Sequence, residues 1–272
     1  MRWDVSRDPR GQTWAFGTSP GDPPGYLPRV NAVCLTADGR ARAARLGGEV
    51  RTWTAPTAPP TRAVPPVAGV TATYWPLNFT EFLGDGTRLV YIGGDDRHVL
   101  HVADTDTGRG LLSLTGHTQP VRAIGVSADG RWIASAGWDA AADATESELK
   151  VWDASTGRER TSLTVTGTSP SCVAISPDGR YLAADGQPIR HGTPALRVWD
   201  MDSGRRVAEL PEYSHAVTAL AFSPDGRQIV AAGWSETHVC AISTDTWQVL
   251  YRRPGAGRRR GSLLPRVVID SR

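Results

Sequence analysis

Short apolar runs recur along the whole chain, each stopped by a polar turn. The clearest unit lies at 116–163. There an apolar run, Val121–Val126, leads into Ala128-Asp129-Gly130-Arg131. A second run, Trp132–Gly137, passes through a loop to Leu149-Lys150-Val151-Trp152-Asp153, and Gly157-Arg158 turns into a last run ending at Leu163. Asp-Gly between two apolar runs is a strong hairpin signal. The pattern predicts four short strands per unit, and helical periodicity is weak throughout.

The unit repeats. Asp-Gly turns stand at Asp38, Asp85, Asp129, Asp178 and Asp225, spaced by 47, 44, 49 and 47 residues. The third-strand position is a second ruler: Trp3, Trp53, Ala103, Trp152, Trp199 and Ile242, spaced by 50, 50, 49, 47 and 43. Two rulers that agree over the chain mark a repeat architecture. Runs such as Cys172-Val173-Ala174-Ile175 and Ala219-Leu220-Ala221-Phe222 are continuously apolar, as a strand covered on both faces requires.

Gly116-His117, Ser-Pro-Asp-Gly at 176–179 and 223–226, and Trp-Asp at 3–4, 152–153 and 199–200 resemble the WD40 (WD-repeat) β-propeller family, in its bacterial type. The resemblance implies an all-β ring of four-stranded antiparallel blades, with strands a to d running outward from a central channel. It places five full blades at 30–65, 78–114, 120–163, 171–210 and 216–252 of a single domain, 1–272. The run at 1–16 aligns with strands c and d of a closing blade, and 263–269 aligns with its strand a. No run aligns with its strand b. The expectation is a six-bladed ring with a three-stranded closing blade, or a fragment of a longer, seven-bladed protein. Open strand edges at that blade would favour self-association.

Composition narrows the function classes. Net charge is +2, which gives no global pull toward nucleic acid or an anionic membrane. Arg258-Arg259-Arg260 is the one basic run, and it lacks interleaved aromatics. Lys150 is the sole lysine beside 29 arginines, which reads as the coding bias of a GC-rich genome. Cys34, Cys172 and Cys240 sit inside apolar runs without metal-ligand spacing, so a reduced, cytoplasmic setting is expected rather than a disulfide framework. The N-terminus lacks the apolar stretch of a signal peptide, and no run reaches the ~18 apolar residues of a membrane span.

The resemblance assigns His117, Ser135, Asp139 and Trp152 to the family's hydrogen-bonded tetrad of loop His, strand-b Ser, turn Asp and strand-c Trp. Ser, His and Asp together also suggest a hydrolase, but no nucleophile-elbow motif accompanies them, and a structural tie is the expectation. Twelve residues before the turn Asp, where His117 stands, other units carry Tyr26, Thr73, Thr166 and Tyr213, so only one unit has the full set.

Trp138 and Trp234 each follow the Gly that ends a second strand, and both should project at the b–c connection. Trp is a preferred anchor in protein interfaces. The b–c loop at 139–148 is acidic, and the one at 187–194, with Arg190 and His191, is basic. The acidic loop lacks the alternating ligands and bend glycine of a calcium loop, so no metal is expected. No Walker loop, dinucleotide fingerprint or Cys-x-x-Cys is present, and no cofactor is expected.

The chain is thus expected to be a non-catalytic scaffold, or the sensor module of a larger signalling protein. A protein partner would dock on Trp138, Trp234, Tyr213, Tyr26, Arg190 and His191. The alternatives are a propeller enzyme or ligand binder using the central channel, and a truncated gene fragment.

Overall fold

The computed structural model describes residues 30–35, 41–45, 50–53, 62–64, 80–92, 96–139, 146–166, 168–188, 196–210, 217–233 and 238–254. They form twenty strands in five antiparallel four-stranded sheets. The first sheet holds β1 (Val30–Leu35), β2 (Ala41–Arg45), β3 (Val50–Trp53) and β4 (Arg62–Val64). The second holds β5 (Thr80–Leu83), β6 (Arg88–Ile92), β7 (Leu100–Asp104) and β8 (Gly110–Leu114). The third holds β9 (Val121–Val126), β10 (Trp132–Gly137), β11 (Glu146–Asp153) and β12 (Glu159–Thr166). The fourth holds β13 (Thr168–Ile175), β14 (Tyr181–Pro188), β15 (Leu196–Asp200) and β16 (Arg205–Leu210). The fifth holds β17 (Val217–Phe222), β18 (Gln228–Gly233), β19 (His238–Ser243) and β20 (Val249–Pro254). The runs expected at 1–16 and 263–269 lie outside the described residues.

Each sheet pairs in sequence order, so its first strand is one edge and its fourth the other. The first strands touch in succession: β1 beside β5, β5 beside β9, β9 beside β13 and β13 beside β17. The apolar core lies between the sheets. One layer sets Leu83, Val90 and Leu100 of the second sheet against Ile124, Ile133 and Trp152 of the third. The next sets Ala134, Leu149 and Val151 against Val173, Leu182 and Trp199. A third sets Cys172, Ala183 and Val198 against Phe222, Ile229 and Ile242. Neighbouring residues of β13 therefore enter opposite layers, which is why that strand is continuously apolar. Cys172 and Cys240 are free and buried.

The Asp-Gly turns at Asp129, Asp178 and Asp225 share one hydrogen-bond scheme. Ser127 Oγ donates to Asp129 Oδ1 at 2.5 Å and accepts from Trp132 N at 2.9 Å, while Asp129 Oδ1 accepts from Arg131 N at 3.0 Å. Ser176 and Asp178 repeat it at 2.5 Å, and Ser223 and Asp225 at 2.6 Å. Gly130 closes its turn with φ of 71°, a left-handed value that glycine adopts without steric cost. Side-chain closure of the turn explains why Ser, Asp and Gly recur at this spacing.

The β7–β8, β11–β12 and β15–β16 turns hang on the Asp that ends the third strand. Asp153 Oδ1 accepts from the backbone and hydroxyl of both Ser155 and Thr156. Asp200 Oδ1 accepts from Ser203 N and Oγ, and its Oδ2 accepts from Arg180 Nε. These turns place Gly108, Gly157 and Gly204 at left-handed φ of 71°, 72° and 68°. In the fifth sheet Trp247 holds the corresponding place at φ 56°, a costly conformation for a bulky residue. Its ring meets Tyr181 edge-on at 5.1 Å, a contact that offsets part of that cost.

These turns are expected to make the fold acid-sensitive. Hydrogen bonds from Ser155 hold the Asp153 carboxyl down at about 2, and the Ser203 backbone N–H with Arg180 holds Asp200 at about 2. A carboxylate with a lowered folded pKa adds stability above its unfolded pKa, and that stability is lost as pH falls through the folded value. The melting temperature is therefore expected to hold steady above about pH 5 and to fall between about pH 4 and pH 2. The pair Asp153→Asn and Asp200→Asn, which keeps each Oδ1 acceptor, gives up the Asp200 Oδ2 that takes Arg180 Nε, and does not titrate, should lower the plateau and flatten that fall. An equally steep fall in the double variant would place the acid sensitivity elsewhere.

Candidate functional site

In a sheet of this topology, the first-to-second and third-to-fourth turns share one end. The second-to-third connections and the links between sheets share the other. At this connection end of the third sheet a polar chain runs through the interior. Trp152 Nε1 donates to Ser135 Oγ at 2.8 Å, and Ser135 Oγ lies 2.7 Å from His117 Nε2. His117 Nδ1 lies 3.0 Å from Glu148 Oε2. Glu148 also accepts from Thr118 N at 3.0 Å and from the Thr118 hydroxyl.

The register explains the set. Ser135 pairs with Lys150, Ile133 with Trp152 and Gly137 with Glu148, so Glu148, Lys150 and Trp152 share one face of β11. Gly137 is required beside them: a Cβ there would sit 2.9 Å from His117 Nδ1 and 3.0 Å from the Gln119 carbonyl.

Proton positions follow from the donor inventory. An indole N–H only donates, so Ser135 Oγ accepts from Trp152 and turns its own proton to His117 Nε2. His117 Nδ1–H then donates to Glu148. Burial pushes the His117 pKa down despite the carboxylate beside it, in keeping with a neutral ring. Burial opposes the charge on Glu148, but hydrogen bonds from Thr118 and His117 hold its carboxyl below the usual range.

His117, Ser135 and Trp152 thus meet, and the carboxylate on Nδ1 is Glu148, in the place the sequence reading gave to Asp139. The reason is strand length. β11 begins at Glu146, three residues before the apolar run, which brings Glu148 across from Gly137. Alternation along the strand from Trp152 and Lys150 was the available signal.

The order Ser–His–carboxylate is that of a nucleophilic relay. Here Ser135 is 0% exposed and Trp152 1%, so no substrate carbonyl reaches Oγ in this conformation. The chemistry left to this set is mutual satisfaction of buried polar groups.

Trp138 stands at the same end, half-buried. Its N–H donates to the Pro120 carbonyl at 3.0 Å, and its own carbonyl accepts from Arg122 Nε at 3.3 Å. The Arg122 guanidinium lies 5.6 Å from the ring centroid. The ring is therefore held by β9 and the segment before it, not left free on a loop. Tyr26, Arg190, His191, Tyr213 and Trp234 lie outside the described residues. Among the described residues, no group of three His, Cys, Asp or Glu is placed to hold a metal ion. No helix among them is long and apolar enough to cross a membrane.

The WD40 family model, described as WD domain, G-beta repeat, matches residues 108–143 and 204–240. Each match starts at the left-handed glycine of a third-to-fourth-strand turn, takes in the last strand of one sheet and continues into the next. The chain thus carries WD40 repeats at these two positions, and its all-β stack of four-stranded sheets fits a β-propeller. Repeats of this family generally mediate protein–protein interaction, and the family is typically non-enzymatic. No curated protein matches the chain.

Proposed function

We propose that this chain is a non-catalytic scaffold that binds a protein partner at the connection end of its sheets, with Trp138 as an anchor. The observation that carries this reading is the Trp138 mount: an indole only half-buried, tied at its backbone to Pro120 and Arg122, with the Arg122 guanidinium over its ring. An aromatic and an arginine held in place in advance lose little entropy on binding, and both residue types are enriched at interface hot spots. The buried His117–Glu148 chain stiffens the same end of the same sheet. On this reading Trp234, Tyr213, Tyr26, Arg190 and His191 extend the docking surface.

The ring is proposed to have six blades, closed by 1–16 and 263–269, in a cytoplasmic sensor or signalling protein. Support for this comes from the spacing of the repeat and the family's general role in protein binding. Affinity capture followed by quantitative mass spectrometry tests the surface. Trp138→Ala is expected to lose the partner while changing folding stability by less than about 1 kcal/mol, as for a half-buried residue at a loop. Equal capture by wild type and Trp138→Ala would reject the anchor.

A further inference from the structure

Lys150 is the only lysine among 272 residues. It lies in the middle of β11, between Ser135 on one side and Ser162 on the other. Its side chain is 9% exposed, and Nζ donates to Glu159 Oε2 at 2.9 Å and to Ser162 Oγ at 3.0 Å. Both acceptors belong to β12, the outer strand of the sheet, which pairs on one side only. β12 also buries few side chains: of its eight residues only Val165, near its far end, is buried. Edge strands with few buried apolar contacts are among the first elements to open.

We propose that Lys150 is a modification site gated by the fold, taking an acyl group from an activated acyl donor only when β12 lifts from β11. An ammonium has no lone pair, so acylation requires Nζ to shed a proton and leave its acceptors. The N–C bond then forms at the acyl carbon. The leaving group departs with the electrons of its bond, and the nitrogen loses a second proton to give a neutral amide. In the closed sheet, Glu159 and Ser162 hold the nitrogen and β12 covers its approach. The arginines offer no substitute, since a guanidinium stays protonated and is a poor nucleophile toward such donors. An acyl mark, including a tag joined through an isopeptide bond, would therefore record that the third sheet had opened, and the closed protein would carry no side-chain mark of this kind.

The test is acetylation of the full chain with N-hydroxysuccinimidyl acetate, followed by mass spectrometry of the peptide carrying Lys150. Added Nα-acetyl-lysine amide serves as the internal standard, and Lys150→Arg identifies the signal. Labelling of the folded protein is expected to be roughly tenfold or more slower than in denaturing urea, because reaction waits on opening. It should rise in urea too dilute to unfold the chain, and Glu159→Gln should speed it. Labelling as fast in the folded protein as in denaturing urea would overturn the shielding. Should Glu159→Gln fail to fold, the urea series on the wild-type chain still decides the matter. A rate that rises only along the global unfolding transition would overturn gating by β12.

Discussion

Trp152→Ala is expected to lower folding stability by about 3–5 kcal/mol, read as a shift of the denaturant midpoint. Trp152 is 1% exposed and fills the layer between the second and third sheets beside Leu83, Ile124 and Ile133. Truncation leaves an indole-sized void there, and the interior does not collapse fully to fill it. It also removes the donor to Ser135 Oγ, whose other partner is His117. Trp152→Phe separates the two effects. It keeps most of the ring volume and loses the N–H, so its cost should be nearer the ~1 kcal/mol of one hydrogen bond. A midpoint for Trp152→Ala indistinguishable from wild type would remove Trp152 from the core. Equal losses for Ala and Phe would shift the weight from packing to the hydrogen bond.

Strands and turns of this protein could be read from the sequence because their causes are local. Ser127, Asp129 and Gly130 close a turn with their own backbone and side chains, and the same residues recur at 176–179 and 223–226. His117, Ser135 and Trp152 were also readable, since the family pattern fixes their places. Glu148 was not, because its role depends on where β11 starts and on its pairing with Gly137. Nor could the sequence show that Arg122, sixteen positions away, lies over the Trp138 ring, a consequence of β9 and β10 pairing.

The second sheet shows a further limit. Ala103 stands across from Leu89 as Trp152 does from Ile133, so the large ring is missing there. Tyr91, in the place matching Ser135, is buried against Ala103 and lies 5.5 Å from the His101 ring. An aromatic moved from the third strand to the second keeps that layer filled. A spacing ruler registers only a lost Trp.

Gly125→Ala is the second large expected effect. Gly125 lies on β9 where that strand meets β13, and a Cβ there would sit 2.3 Å from the Val173 carbonyl oxygen and 3.0 Å from its carbon. Both obstacles are backbone, held in the ladder of β13 with β14, so no side chain can swing aside. Accommodation requires the third and fourth sheets to part, which strains the layer containing Val151, Leu182 and Trp199. The expected cost is about 3 kcal/mol, at the upper end for overpacking a dense core. Gly110→Ala is the matched control. That glycine opens β8, has no left-handed φ, and would meet nothing within 4 Å of an added Cβ. Both substitutions remove the same freedom from the unfolded chain, so Gly110→Ala should stabilise by about 0.4–1 kcal/mol. The opposite signs isolate the contact between sheets from the intrinsic effect of glycine. If chemical denaturation gave the two variants the same shift, the close approach of β9 to β13 would be refuted.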